Sequence, residues 1–293
     1  MQGARMLAIA GSAALCACAS VSHSPATRHA GWEIPFGHGS ASTYADVDDA
    51  GRPVAIGVVL SATALDGLPA GSDMHHCVDR AADGSTDASS RCAATFEHVL
   101  ALPDAVARRG DVPFKWALLN WNPQGHIPPG IYDVPHFDVH FMMAPIADVF
   151  AIQSGRCGPE AVRCDQFARA KKPVPANYVH PDFHDVDAVV PAMGNHLIDT
   201  SGGEFQHHPF TWSWIYGAYD GQIIFYEQMV TRAYLLSHPD GCAAIKAPRA
   251  FAVAGYYPTL TCTRHDPQSG SYIVSMEKFV RRAASPPDAS NVK

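Results

Sequence analysis

The sequence predicts a mainly β protein of the α+β kind, folded as a β-barrel or sandwich with a few short helices. Three observations support this prediction. Residues 53–60 form an unbroken apolar run rich in Val, as buried strands do. Asp220-Gly221 separates two apolar runs, which is typical of a hairpin turn. Residues 135–141 alternate between polar and aromatic or β-branched side chains, which indicates a strand.

The other elements follow from the same patterns. Strands are predicted at 53–60, 93–102, 114–120 and 135–143, and the hairpin arms at 212–219 and 222–230. Helices are predicted at 144–153, 159–170 and 274–281, and loops rich in turn residues at 120–126 and 171–189. Strands at short spacing with few helices favour a barrel or a sandwich over a helical fold.

The chain is organised as one domain with short flanking segments. Its 293 residues are 47% hydrophobic, enough for a sizeable core, and no Pro/Gly-rich linker divides the interior. We predict a single β-rich metal-binding domain over 32–284, a disordered segment over 20–31 and a disordered tail over 285–293.

The N-terminus has the pattern of an export signal. Arg5 precedes an apolar run too short to span a bilayer, and small residues follow. We predict a signal over 1–19, cleaved before Ser20 at a small-x-small site or processed as a lipobox with a lipid on Cys18. The protein is therefore expected outside the cytoplasm, as a periplasmic, secreted or envelope-anchored lipoprotein that contacts membrane only through Cys18.

Charge and cysteine content narrow the function further. The formal net charge is −7 and there is no basic run, which argues against nucleic acid as a partner and leaves a small molecule or a homo-oligomer. Apart from the two signal cysteines, six remain, an even number that suggests disulfides in an oxidising compartment. Pairing sequence neighbours gives the bridges Cys77–Cys92, Cys157–Cys164 and Cys242–Cys262, one of several possible connectivities.

The strand at 135–141 carries the clearest chemical signal. Alternation places His136, Asp138 and His140 on one face and aromatic or branched residues on the other. A row of ionisable groups is costly if buried, and a metal ion removes that cost because imidazole and carboxylate are good ligands. If this face of the strand is exposed to solvent, the three residues form only a polar surface and do not indicate a metal site.

Residues from other segments complete the candidate ligand set. His196 follows a glycine turn, and Glu227 lies on a largely apolar face of the second hairpin arm, where it needs a partner such as a metal or a buried cation. Asp199 is a candidate for hydrogen bonding to the ligands, and His126 is a candidate for the same role, for a ligand or for a loop cap. His, Asp and Glu together suit a divalent transition metal: Zn, Fe, Mn or Ni.

The sequence lacks the motifs that mark several other classes of enzyme. The sequence contains no G-x-S-x-G elbow, no phosphate-binding P-loop, no dinucleotide-binding glycine motif after a strand and no H-E-x-x-H helix. A cysteine nucleophile is not expected if the six cysteines are paired.

Two resemblances add to these observations. Gly130 with His136, and Pro191 with Gly194 and His196, resemble the two motifs of the cupin barrels, but Asp138 stands where the first motif has a histidine. The blocks N-W-N-P-x-G-H, P-H-F-D-x-H-F, M-G-x-H and I-Y-G-x-Y-D-G resemble a little-characterised bacterial family of exported or hypothetical proteins with a Thermus-type member. This second resemblance spans roughly residues 95–230 and implies a shared fold and site, without a reaction.

The sequence leaves the function open between three hypotheses. The first is an exported protein that binds one divalent transition metal and uses it as an enzyme on a small molecule. The second is a non-catalytic envelope lipoprotein that binds metal or a small ligand. The third is a structural oligomer with a polar histidine core.

Overall fold

The structure, a computed structural model, describes residues 26–71, 95–159 and 162–288, together with the backbone of two strands at 77–80 and 86–92. The strands are β1 (Thr27–Phe36), β2 (Gly39–Val47), β3 (Pro53–Leu60), β4 (Cys77–Arg80), β5 (Thr86–Cys92), β6 (Phe96–Ala101), β7 (Trp116–Asn122), β8 (His136–Met142), β9 (Ser154–Cys157), β10 (Phe183–Val190), β11 (Gly194–Asp199), β12 (Trp212–Tyr219), β13 (Gln222–Thr231), β14 (Asp240–Ala244), β15 (Gly255–Tyr257), β16 (Leu260–His265), β17 (Tyr272–Glu277) and β18 (Val280–Arg282). The α-helices are α1 (Asp104–Ala107), α2 (Ile146–Phe150), α3 (Cys164–Ala170) and α4 (Arg232–Leu236), and 3-10 turns lie at Ala176–Tyr178 and Gly203–Gln206.

Two antiparallel sheets make up most of the molecule. One has six strands in the order β1-β2-β3-β17-β16-β14, and the other has seven in the order β10-β11-β12-β13-β8-β7-β6. Two smaller two-stranded sheets pair β15 with β18 and β4 with β5. Within the described ranges the sheets form a sandwich-like arrangement and no closed barrel, so of the two predicted architectures the sandwich is confirmed.

The main core lies between the two large sheets. Ile56 and Val274 of the six-stranded sheet belong to the same buried apolar cluster as Phe137, Val139 and Phe141 of β8. Burying this surface stabilises the fold at about 25 cal/mol per Å² of apolar area removed from water. Alternation along β8 therefore sends its four even-numbered residues, the polar His136, Asp138 and His140 together with Met142, to the opposite, outer face of the seven-stranded sheet.

That outer face is covered as well. Short segments pack on it, including α2 through Phe150, the turn at Met193 and the loop residues Tyr132 and Phe210. All seven residues of β8 are consequently buried. A strand covered on both faces is expected to be continuously apolar, so the polar residues of β8 need a specific explanation.

Several predicted elements match the structure closely. The first predicted strand coincides with β3, and the predicted hairpin is β12–β13. Asp220 and Gly221 both have positive φ, 51° and 77°, as the central residues of a type I′ turn require.

Several predictions need correction. Residues 183–189, expected in a loop, belong to β10. The terminal helix predicted at 274–281 is wrong, because the segment forms β17 and β18 instead. Its buried residues Tyr272, Val274 and Met276 recur every second position, which is strand periodicity. The disorder expected over 20–31 does not extend to Thr27, where β1 begins and pairs with β2; residues 1–25, including the predicted signal and Cys18, lie outside the described chain.

The C-terminal segment and the cysteines can be placed in part. Ser285 of the tail predicted to be disordered donates a backbone hydrogen bond to Phe251, and residues 289–293 lie outside the described chain. Disulfides join Cys157 to Cys164 and Cys242 to Cys262, as pairing of sequence neighbours predicts. The β4–β5 register aligns the backbones of Cys77 and Cys92, whose side chains are outside the described residues.

The two disulfides fit an oxidising, exported environment. Over the described residues, none of the helices is both long enough and apolar enough to cross a bilayer.

Candidate metal centre

Strand pairing assembles the outer-face residues from three neighbouring strands. In the β8 register, Asn122 and Asn120 of β7 stand opposite His136 and Asp138. On the other side of β8, Glu227 of β13 stands opposite His140. The row of polar side chains that the sequence predicts on β8 is thus flanked by polar side chains from both adjacent strands.

The first cluster, which we call the His140 group, contains His140, His196 and Glu227. Glu227 Oε2 lies 3.6 Å from His140 Nε2 and 3.7 Å from His196 Nε2. These separations are too long for hydrogen bonds. They are close to the spacing of about 3.4 Å between ligand atoms held tetrahedrally at about 2.1 Å from a metal ion.

Two glycines allow this cluster to form. Gly194 starts β11 with φ of 101°, and a Cβ there would lie 2.7 Å from the Ala218 carbonyl oxygen. Gly217 lies opposite His196 across the sheet, and the Phe225 ring occupies the space that a side chain would take. That ring packs at 4.9 Å from the His140 ring and 5.2 Å from the His196 ring, and so forms an apolar wall beside the ligands.

Backbone carbonyls orient both imidazoles of the His140 group. His140 Nδ1 lies 3.2 Å from the Leu118 carbonyl oxygen, and His196 Nδ1 lies 3.0 Å from that of Ala188. A carbonyl oxygen only accepts, so each Nδ1 donates a hydrogen and each neutral ring keeps a lone pair on Nε2. Metal-binding histidines are typically fixed in this way.

Two atoms that face each other in this group have no hydrogen bond to the described residues. His140 Nε2 and Glu227 Oε2 are buried and, among the described residues, have no hydrogen-bond partner. An unpaired buried polar atom destabilises a fold by about 1–3 kcal/mol, more if charged. A metal ion between them would satisfy both atoms at once.

Burial keeps the two histidines of this group in the neutral form, which is the form that binds a metal ion. Desolvation lowers the pKa of His140 to about 3 and that of His196 to about 4, so both are neutral at pH 7. Desolvation, with the nearby charge of Asp138, raises the pKa of Glu227 well above its usual value. Without a cation, this carboxyl group holds a proton that a metal ion would displace.

The second cluster, which we call the His136 group, contains His126, His136 and Asp138. His136 Nε2 lies 3.0 Å from His126 Nε2 and 3.1 Å from Asp138 Oδ1, and His126 Nε2 lies 3.3 Å from Asp138 Oδ2. Asn122 Nδ2 donates a hydrogen bond of 2.7 Å to Asp138 Oδ2. Burial opposes the ionisation of Asp138, but the two imidazoles outweigh it and hold the pKa of Asp138 well below its usual value.

The loop that carries His126 folds back onto the sheet edge. Gly125 has φ of 73°, and a Cβ there would collide with the Tyr132 carbonyl oxygen at 2.0 Å. His126 pairs with Tyr132 in an isolated bridge, and their rings are 5.9 Å apart. This geometry gives the N-W-N-P-x-G-H block a structural role, because it carries a histidine from the end of β7 to His136.

The structure therefore divides the sequence-predicted ligands between two groups. His140, His196 and Glu227 come together, whereas His136 and Asp138 meet His126, whose role the sequence left open between a ligand, a residue that supports the ligands and a loop cap. Four residues of strand span about 13 Å, so His136 and His140 cannot reach a single ion.

Asp199, the other residue expected to support the ligands, lies elsewhere. It pairs with Lys246 at 2.7 Å and accepts a hydrogen bond from Ser201. A third set of neighbouring groups, Cys242, Cys262 and Glu277, offers no thiolate because its cysteines form a disulfide.

Sequence reasoning missed two asparagines in this centre. Asn120 was placed at the boundary between the predicted strand 114–120 and the loop 120–126, and Asn122 within that loop, but β7 continues through Asn122. They alternate with Trp121, which lies in the core between the sheets. The alternation rule that identified the candidate ligands on β8 would have placed both asparagines on the same outer face.

Comparison of the chain with protein-family models, curated proteins and solved structures finds no significant match in any of the three.

Proposed function

We propose that this protein binds a divalent transition metal ion, Zn, Fe, Mn or Ni, through His140, His196 and Glu227. One observation carries the proposal: the buried lone pair of His140 faces the buried carboxylate oxygen of Glu227 at 3.6 Å, with neither atom hydrogen bonded within the described structure. Two imidazoles and one carboxylate are a common ligand set for these ions. Export to the envelope, suggested by the N-terminal pattern and the disulfides, forms part of the same proposal.

A second candidate function is catalysis on a small molecule at this ion. Three protein ligands leave a coordination position open, which is the arrangement of catalytic zinc sites, whereas structural sites are closed by four. Bound water at such a position becomes acidic enough to act as a nucleophile near neutral pH. The Phe225 ring would provide an apolar wall beside it.

The experiment uses protein made without a His tag, stripped with a chelator and titrated with Zn²⁺. Wild-type protein should bind the ion, and Glu227→Gln should bind it much more weakly. Glu33→Gln is the matched control, since Glu33 is an exposed glutamate on β1. Equal affinity in wild type and Glu227→Gln would refute the proposed ligand set. Absence of binding in wild type would favour the hypothesis of a polar histidine core.

A further inference from the structure

We propose that the His136 group binds a second metal ion, so that the outer face of the seven-stranded sheet holds a two-ion centre. His126, His136 and Asp138 would be its ligands, with Asn122 holding the carboxylate in place. This inference rests on the proposed function because it places the second ion beside the first. It also assigns His126, on the loop after β7, as a ligand.

The two imidazoles of this group face each other with their lone pairs. His136 Nδ1 lies 2.7 Å from the Val134 carbonyl oxygen, and His126 Nδ1 lies 2.7 Å from that of Ile127. Each Nδ1 therefore donates its hydrogen to a carbonyl oxygen, and the two Nε2 atoms point at each other 3.0 Å apart. Two lone pairs at this distance repel unless a cation lies between them, and that cation is a shared proton or a metal ion.

The spacing within the group fits a metal ion. The distances among the two Nε2 atoms and the carboxylate oxygens are 3.0, 3.1 and 3.3 Å. Ligand atoms bound at about 2.1 Å lie about 3.0 Å apart at right angles and about 3.4 Å apart in a tetrahedron.

Unpartnered polar atoms next to this group also indicate a missing ligand. Asp138 is buried, and its Oδ1 lacks a hydrogen bond in the described parts of the chain despite its nearness to His136. Asn120, fully buried and directly opposite Asp138, likewise has no partner there for either its amide oxygen or its amide nitrogen. A water molecule bound to a metal ion would partner both atoms, since water donates to the amide oxygen and accepts from the amide nitrogen.

The two ions would occupy separate positions. Asp138 and His140 are same-face neighbours on β8, about 6.6 Å apart along the strand. Each group has two imidazoles and one carboxylate, so neither needs a ligand from the other. The His136 group opens towards solvent through His126, whose side chain is 31% exposed, whereas the side chains of the His140 group are at most 10% exposed. The second ion should therefore exchange faster than the first.

The test counts bound Co²⁺ by elemental analysis and by its visible absorption, in chelator-stripped protein that has been reloaded. Wild type should bind two ions per chain, and His126→Ala and Asp138→Asn should each bind one. Glu227→Gln should retain only the ion of the His136 group. His184→Ala, which removes an exposed histidine of β10, should still bind two. A chelator pulse should release the His136-group ion first.

The outcomes separate this inference from the proposed function. One ion in wild type that survives His126→Ala but is lost in Glu227→Gln would overturn the second site and leave the first. One ion lost in both variants would show a single shared site and overturn the two-ion centre. No ion in wild type would overturn both proposals. Thermal melts of metal-free His126→Ala and Asp138→Asn identify variants that fail to fold, and either folded variant suffices for the test.

Discussion

Relative to wild type, Glu227→Gln should be more stable in the absence of metal and less stable in its presence. Without metal, burial keeps the native carboxyl protonated, whereas the unfolded chain ionises near pH 4.5. The native state thus holds an extra proton, and stability falls as pH rises from about 4.5 to the raised pKa of the folded state. The loss is about 1.4 kcal/mol per pH unit. Glutamine resembles the protonated acid and carries no such penalty, so the metal-free variant should be more stable than wild type at pH 8.

With metal, the order should invert. At a free metal concentration of about 100 times Kd, binding stabilises the native state by about 2.7 kcal/mol. For a chain of this size that raises Tm by roughly 5–10 °C. If loss of the carboxylate weakens binding about 100-fold, the stabilisation by the ion of the His140 group at the same concentration falls to about 0.4 kcal/mol, or roughly 1–2 °C in Tm.

The assay is thermal and urea unfolding of both proteins, with and without Zn²⁺, at pH 6, 7 and 8. Glu33→Gln serves as the control and should follow wild type throughout. Two results would refute the reasoning. A metal-induced shift of equal size in Glu227→Gln would exclude Glu227 as a ligand. A metal-free stability difference that does not change with pH would show that Glu227 is ionised in the native state.

Three further predictions concern the imidazoles and a disulfide. His196→Ala should remove the part of the chelator-sensitive Tm that comes from the ion of the His140 group, whereas His208→Ala, an exposed loop variant, should leave all of it intact. Equal metal content in both variants would show that the site is misplaced. Because the folded pKa of His140 is about 3 and its unfolded pKa about 6.5, the contribution of His140 to metal-free stability should fall as pH drops below about 6.5, by up to about 1.4 kcal/mol per unit. Urea titrations between pH 7 and 5 should show it as the difference in slope between wild type and His140→Gln, because Glu227 acts in the opposite direction over this range. Replacing Cys242 and Cys262 by alanine opens a bridge of sequence separation 20 and should destabilise the protein by about 3 kcal/mol, measured by denaturant unfolding; an unchanged midpoint would contradict this.

Local patterns predicted much of the fold. β3 and the β12–β13 hairpin follow from an apolar run and an Asp-Gly turn, signals that are complete within a few residues. The segment at 274–281 was assigned to a helix because short apolar segments are ambiguous between helix and strand. What decides it is pairing with the neighbouring strand β16 and with β3, and the contact with β3 is distant in sequence.

The sequence identified the residues of the candidate site, but not which of them lie close together. Alternation along β8 identified His136, Asp138 and His140, and an apolar strand face identified Glu227 as a residue needing a partner. Which ligands meet depends on the order of strands in the sheet, because β13 brings Glu227 beside His140 only through a pairing between distant segments. His126 was underestimated because its position depends on a loop that folds back at Gly125.

The completely buried strand β8 has a consequence for folding itself. If β8 shifted by one residue against its neighbours, His136, Asp138 and His140 would enter the apolar interior, and three large apolar side chains would take their places among the ligands. Each buried, unsatisfied polar group in that interior would destabilise the slipped state by several kcal/mol. The alternative pairing is therefore disfavoured even in the absence of metal. The same residues that are proposed to hold the ions thus also enforce a single strand alignment while the chain folds.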